Sequence, residues 1–133
     1  MANNGWVLVV EDDVHVAELL RVVLTAEGND VALARDPQSM RNALAARRFE
    51  AVILDVGLPG RENGLALAPE AAGYGCGVVL VTAHHHFDEA LAESGHPYLL
   101  KPFRIEKLLR AIERAIEEAP AECTLGRRGD AAS

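Results

Sequence analysis

Short apolar runs that alternate with longer amphipathic stretches constrain the fold of this chain more than any other feature. The first run, Trp6–Val10, is continuous and rich in β-branched residues, which is typical of a strand buried on both faces. Four further runs predict strands at Val31–Ala34, Ala51–Leu54, Val78–Val81 and Tyr98–Leu100. Strict alternation with helical segments predicts the α/β class, in which helices cover both faces of a parallel sheet.

The helical segments carry their own start and stop signals. A helix from Val14 to Glu27 is predicted to stop at Gly28, because glycine favours the residue after a helix end. Asp36-Pro37 predicts the next helix start, since Asp36 can cap free N–H groups and proline needs no N–H there. An apolar stripe from Ile105 to Ile116, at spacings of three and four residues, predicts the last helix.

Size and charge exclude several functional classes. The 133 residues fit one domain, which we expect over residues 1–118, followed by a flexible tail over 119–133. A formal net charge of −7 disfavours direct nucleic-acid binding, because acidic surfaces repel phosphate backbones. Apolar runs of about 4–5 residues fall far short of the ~20 that a membrane helix needs. With no export signal at the amino terminus, we expect a cytoplasmic protein.

Polar side chains follow four of the five predicted strands. Because ligands bind at the carboxyl ends of parallel strands, we expect these side chains to share one edge of the sheet. Carboxylates suit a hard cation such as Mg²⁺, and a carboxylate can also act as a nucleophile that forms an aspartyl-phosphate. A lysine beside them supplies a cation for an incoming phosphoryl group. The residues concerned are Glu11, Asp12, Asp13, Asp55, Thr82 and Lys101-Pro102.

Four motifs at these strand ends resemble the receiver domains of two-component response regulators: VLVVEDD, VILDVGLP, VVLVTA and YLLKPF. The resemblance implies a flavodoxin-like sheet of strand order 2-1-3-4-5. It also implies a stand-alone, chemotaxis-regulator-like receiver in a two-component or phosphorelay system. Such a domain takes its phosphoryl group from a histidine kinase or a histidine phosphotransfer protein. It signals to a downstream protein, here unknown, and is not a metabolic enzyme.

The resemblance assigns a role to each site residue. Asp55 is the expected phosphoacceptor, and Mg²⁺ is the expected cofactor. Its implied ligands are Asp12 directly, Glu11 through water, Asp55, and the backbone carbonyl of Gly57. Lys101 and Thr82 are expected to contact the phosphoryl group, and Tyr98 to swing inward when Thr82 moves. The bond between Lys101 and Pro102 is expected to be cis.

Other interpretations of these residues remain open. Asp13 is better explained as the cap of the first helix than as a ligand. The run His84-His85-His86 does not favour a metal site, because successive helical side chains point about 100° apart. Cys76 and Cys123 are expected to be free thiols, although one disulfide is compatible with the sequence. An aspartyl phosphatase would carry a second acid where Gly57 stands, and a degenerate receiver would bind partners without phosphorylation.

Two segments depart from the family pattern. The loop from Asp55 to Gly64 is one residue longer than usual, and the third helix beyond it contains Pro69 and is followed by closely spaced glycines. We therefore expect that helix to be short, kinked or partly unravelled. The stretch from Thr82 to Lys101 is shorter than usual, with a helix predicted near Phe87–Glu93. Signal transmission through these helices is therefore in question.

Overall fold

Five strands alternate with five helices in the computed structural model, which describes residues 5–58, 63–83 and 88–119. The elements are β1 (Trp6–Val10), α1 (Val14–Ala26), β2 (Asp30–Ala34), α2 (Pro37–Ala46), β3 (Ala51–Asp55), α3 (Gly64–Gly73), β4 (Gly77–Thr82), α4 (Asp88–Ser94), β5 (Tyr98–Leu100) and α5 (Ile105–Glu118). The predicted α/β class is confirmed, and the predicted strands agree with the observed ones to within a residue at each end.

All strand pairs are parallel, and the sheet order is β2-β1-β3-β4-β5. The predicted flavodoxin-like order is therefore confirmed. The register sets Val10 beside Leu54, Asp55 beside Val81, and Thr82 beside Leu100. The carboxyl ends of β1, β3, β4 and β5 consequently meet at one edge of the sheet.

The core lies in two layers, one on each face of the sheet. Alternate side chains of β1 enter different layers, with Leu8 and Val10 on one face and Val7 and Val9 on the other. The first layer packs against α2, α3 and α4, and the second packs against α1 and α5. Every residue of β3 and β4 is buried, as expected for central strands of a parallel sheet covered on both faces.

Two aspartates cap helices at the positions that the sequence predicts. Asp13 Oδ1 accepts the backbone N–H groups of His15 at 2.9 Å and Val16 at 3.2 Å, which confirms its role as the α1 cap. Asp36 caps α2 in the same way through Ser39, whose hydroxyl in return accepts the Asp36 backbone N–H. The first of these caps holds α1 directly beside the acidic end of β1.

The third helix is more regular than the sequence predicts. It runs without interruption for ten residues with Pro69 inside it, so the expected unravelling is wrong, whereas the expected kink stays a prediction. Asn63 Oδ1 caps it by accepting the Ala66 N–H at 3.0 Å, and the side chains of Leu67 and Ala71 are buried in the core. Burial of this face offsets the hydrogen bond lost at the proline. The glycines lie at or beyond the helix end, where Gly75 has a φ of 87°.

Several expectations fall outside the described residues. These are the histidine run at residues 84–86, Phe87 at the predicted start of the fourth helix, Cys123, and the tail from residue 120 onward. Cys76 is buried. Among the described helices, none has both the length and the hydropathy that crossing a membrane requires.

Candidate functional site

The strand ends place five of the predicted polar residues around one point of the sheet edge. Glu11 and Asp12 follow β1, while Asp55 and Thr82 are the last residues of β3 and β4. Lys101 follows β5, and its backbone N–H donates to the Thr82 carbonyl oxygen at 2.8 Å. That hydrogen bond continues the sheet by one residue and delivers the lysine to the same edge as the acids.

Asp55 is a buried carboxylate, with 7% of its surface exposed. The next residue extends the sheet, since the Val56 N–H donates to the Val81 carbonyl oxygen at 2.8 Å. The carboxylate itself accepts the Gly57 N–H through Oδ1 at 3.1 Å. Burying a carboxylate is unfavourable unless it is paired or hydrogen-bonded, so this backbone donor and the nearby lysine stabilise Asp55 in its position.

Three carboxylates form a compact oxygen cluster. One ligand atom from each of Glu11, Asp12 and Asp55 lies within 4.8 Å of the others. Asp12 is exposed, whereas Glu11 and Asp55 are buried, so the cluster opens toward solvent on the Asp12 side. Hard divalent cations prefer oxygen ligands and keep several waters, and this donor set fits Mg²⁺. These are the three acids that the sequence predicts as side-chain ligands.

Lys101 lies close to both Glu11, which follows β1, and Asp55, the last residue of β3. Its Nζ lies 2.9 Å from Glu11 Oε1 and 3.9 Å from Asp55 Oδ1. The peptide bond that follows it, to Pro102, is cis. The lysine side chain is 22% exposed, so the pair with Glu11 is shielded from water more than a surface ion pair is. The sequence predicts the lysine near the acceptor but does not identify Glu11 as its nearest partner.

The pKa of Glu11 is raised in the folded protein. Burial raises the pKa of its carboxyl above the ordinary value, and the negative charge of Asp55 raises it further, while the Lys101 hydrogen bond opposes the rise. The other carboxylate oxygen, Oε2, accepts the Asp13 N–H at 3.2 Å. Glu11 therefore links the turn into α1 with the lysine after β5, and it lies in one oxygen cluster with Asp55, the last residue of β3.

The remaining predicted residues lie at or near this edge. Thr82 is fully buried at the end of β4. Tyr98 begins the edge strand β5 and is 38% exposed, so its side chain lies at the surface. Gly57 is exposed beside Asp55, and its N–H points toward the carboxylate. These positions do not test the switch role of Thr82 and Tyr98 or the ligand role of the Gly57 carbonyl, which stay predictions.

Sequence reasoning did not identify Gly64 as part of the site. A Cβ atom on Gly64 would lie 2.6 Å from the carbonyl oxygen of Asp55. The Gly64 N–H also donates to the Val56 carbonyl oxygen at 3.2 Å, which ties the start of α3 to the residue after Asp55. The signal was present as the final glycine of the loop motif, but only coordinates show which backbone atoms approach it.

Comparison with known proteins agrees with this geometry. The chain matches the response regulator receiver domain family over residues 7–113. It is 37% identical over 123 residues to the DNA-binding response regulator MtrA of Mycolicibacterium smegmatis, a match that covers 87% of this chain and 54% of MtrA. The response regulator MprA of Mycobacterium tuberculosis is 33% identical over 121 residues, with 87% and 52% covered. The chain thus spans about half the length of these relatives.

Solved structures show the same architecture. NtrX from Brucella abortus, in complex with ADP, superposes with a TM-score of 0.77 at 30% identity over 88% of this chain and 28% of NtrX. TrrA from Thermotoga maritima, in complex with Mg²⁺ and BeF, gives a TM-score of 0.74 at 26% identity over 84% of this chain and 98% of TrrA. The family match and the fold together show that this chain belongs to the receiver domains of two-component response regulators, which are signalling domains.

Proposed function

We propose that Asp55 accepts a phosphoryl group from a phosphohistidine donor, a histidine kinase or a histidine phosphotransfer protein, in a Mg²⁺-dependent reaction. The observation that carries the proposal is one buried carboxylate that lies close both to a lysine ammonium and to two further carboxylates. Lys101 Nζ lies 3.9 Å from Asp55 Oδ1, and ligand oxygens of Glu11 and Asp12 lie within 4.8 Å of an Asp55 oxygen. A nucleophile, a cation and a set of metal ligands are what phosphoryl transfer to a carboxylate requires.

The reaction exchanges one bond to phosphorus for another. An Asp55 oxygen attacks the phosphorus atom, the phosphorus–nitrogen bond of the donor breaks, and its electron pair returns to the imidazole. Lys101 lies where its ammonium can contact phosphoryl oxygens, and we propose the same contact for the Thr82 hydroxyl at the end of the neighbouring strand. The Gly57 N–H holds the carboxylate in place through Oδ1.

The acidic cluster is the proposed Mg²⁺ site. Asp12 and Asp55 would hold the ion directly and Glu11 through water, with the Gly57 carbonyl as a further ligand. When bound, the ion offsets the negative charge of the phosphoryl group beside three carboxylates. The structure of the response regulator protein TrrA in complex with Mg²⁺ and BeF supports this choice of ion.

Phosphorylation adds negative charge at a site that already carries three acids. We propose that the structural change caused by this charge alters how a downstream protein binds. Thr82 moving toward the phosphoryl group, with Tyr98 swinging inward, is the proposed route. We further propose a cytoplasmic protein whose receiver domain spans residues 1–118. The relative MtrA is a DNA-binding response regulator. The net charge of −7 supports a protein partner for this chain instead.

Intact mass spectrometry tests the proposal. The protein is incubated with Mg²⁺ and acetyl phosphate, and separately with a phosphorylated histidine kinase domain. We expect the wild type to gain the mass of one phosphoryl group and Asp55→Asn to gain none. Asp30→Asn is the control, since Asp30 is an exposed aspartate at the start of β2, away from the cluster.

Three results would contradict the proposal. Equal labelling of wild type and Asp55→Asn would place the acceptor elsewhere. No labelling by any donor would favour a degenerate receiver that binds its partner without phosphorylation. Steady release of phosphate from a phosphomonoester would indicate an aspartyl phosphatase.

A further inference from the structure

Gly64, the first residue of α3, lies against the backbone of the proposed phosphoacceptor. A Cβ atom at this position would be 2.6 Å from the Asp55 carbonyl oxygen and 2.8 Å from the Val56 Cα. Carbon atoms pack best at about 3.5–4.0 Å, so both separations are strongly repulsive. The neighbours are backbone atoms and cannot rotate away as a flexible side chain can. Any side chain at position 64 therefore forces either the end of β3 or the start of α3 to move.

Asp55 has little freedom to absorb such a movement without changing its site. The Val56 N–H is held by the Val81 carbonyl oxygen at 2.8 Å, and the Val56 carbonyl oxygen accepts the Gly64 N–H at 3.2 Å. The carboxylate is tied to the same loop through the Gly57 N–H at 3.1 Å. A shift of the backbone at Asp55 would thus be passed to its carboxylate, and so to its distances from Lys101 and the acidic cluster.

We propose that Gly64 is a positioning residue for phosphoryl transfer, because its missing side chain lets α3 begin against Asp55 and so sets where the carboxylate lies. This inference rests on the proposed function of Asp55. It assigns no contact between Gly64 and the phosphoryl group. Gly64 acts only through the backbone of Asp55 and Val56 and through the loop that carries Gly57.

A second glycine provides a matched control for the effect on folding. A Cβ atom on Gly77 would lie 2.5 Å from the carbonyl oxygen of Ala115, again a backbone atom. Gly77 is the first residue of β4, whereas Asp55 is the last residue of β3 beside Val81. The two glycines thus have similarly close backbone neighbours at opposite ends of the sheet. Gly64→Ala and Gly77→Ala should both affect stability, but only the first should affect the site.

The first measurement is the rate at which acetyl phosphate and Mg²⁺ phosphorylate each variant, at a temperature where unfolding curves show all of them folded. We expect Gly64→Ala to react about 10- to 100-fold more slowly than the wild type, since small misplacements of reacting groups carry penalties of this order. Gly77→Ala should react at the wild-type rate.

The second measurement does not depend on phosphorylation. The Gly57 amide donates to the Asp55 carboxylate, so its ¹H–¹⁵N resonance reports the geometry of that hydrogen bond. We expect the Gly57 resonance to move in Gly64→Ala and to stay at its wild-type position in Gly77→Ala. A wild type that no donor phosphorylates would contradict the proposed function, while the Gly57 comparison would still decide the positioning role.

The inference is overturned if Gly64→Ala keeps both the wild-type rate and the wild-type Gly57 resonance. It is also overturned if Gly77→Ala changes them as much. If Gly64→Ala does not fold, Asn63→Ala replaces it, because this change loosens the start of α3 by removing its cap to Ala66. A Gly57 resonance that moves from its wild-type position in Asn63→Ala then supports the inference, and an unchanged resonance contradicts it.

Discussion

Single residues at strand ends carry the proposed chemistry, and most of them were predictable. Each is the first or second polar residue after an apolar run, and parallel strands bring such residues to one edge. The pair between Lys101 and Glu11 at 2.9 Å was not predictable. β1 and β5 are not neighbours in the sheet, so no strand pairing in the sequence indicates that these two side chains meet. The lengths and directions of the two side chains decide whether they come into contact.

Replacing Lys101 tests its contact with the phosphoryl group. We expect Lys101→Gln to slow phosphorylation by acetyl phosphate about 100-fold, the usual effect of removing one preorganised donor from a transition state. Stopped reactions followed by intact mass give the rate. Lys107→Gln is the control, because Lys107 is an exposed lysine on α5. Equal rates for Lys101→Gln and the wild type would remove the lysine from the reaction.

The raised pKa of Glu11 predicts a pH dependence of stability. The folded protein holds this proton more tightly than the unfolded chain does, because the folded pKa lies above the ordinary value of 4.5. The contribution of this tighter proton binding to the free energy of unfolding is present at pH values below 4.5 and is lost as the pH rises through the folded pKa. Without Mg²⁺, the melting temperature of Glu11→Gln relative to wild type should therefore increase between about pH 4 and about pH 7.

An exposed glutamate corrects for the loss of one negative charge. Glu117→Gln, in the last turn of α5, removes the same charge at the opposite end of the sheet from the cluster. Thermal unfolding of the three proteins across this pH range gives the comparison. If the melting temperature of Glu11→Gln relative to wild type falls as the pH rises, burial is not the main influence on the pKa of Glu11.

At the scale of whole elements, helix α3 shows where sequence patterns mislead. Pro69 and the nearby glycines predict a broken helix by local preference alone, yet α3 is continuous. The side chains that oppose this preference are Leu67, Ala68 and Ala71, which are buried against the sheet. Burial depends on the tertiary fold, so local propensity does not reveal it. By contrast, the caps at Asp13 and Asp36 are local interactions and were predicted.

Pro69 should therefore weaken α3 without breaking it. Pro69→Ala restores an N–H that can donate to the carbonyl of Leu65 within the helix. We expect a gain of about 2 kcal/mol in the free energy of unfolding, since the recovered hydrogen bond and removed clash exceed the entropic benefit of proline in the unfolded chain. Urea unfolding measures it. A destabilised variant would show that the helix is adapted to the proline.

For the whole molecule, the parallel sheet and the two-layer core follow from the alternation of apolar runs and amphipathic segments. The strand order came from the resemblance to receivers, because periodicity alone does not order five parallel strands. The distances within the site also lay beyond the sequence, since they depend on backbone approaches such as that of Gly64 to Asp55. The identities of the site residues were thus easier to predict than the distances between them.

Mg²⁺ should stabilise the whole fold if the acidic cluster binds it, because a ligand that binds only the folded state raises the free energy of unfolding. We expect the melting temperature of the wild type to rise with Mg²⁺ concentration. The rise should be much smaller in Asp12→Asn, while Asp30→Asn should behave as the wild type. Each variant is compared with its own Mg²⁺-free state, because removing an acid from the cluster also relieves repulsion.

The central claim is that the phosphoryl group resides on the carboxylate of Asp55, and chemical trapping tests it most directly. Borohydride reduces an aspartyl-phosphate to homoserine, which fixes the site of modification in the peptide chain. After treatment with a phosphorylated histidine kinase domain and Mg²⁺, reduction and peptide mapping should find homoserine at position 55 in the wild type. Homoserine at another aspartate, or phosphate that survives on a histidine or serine with position 55 unchanged, would contradict the claim.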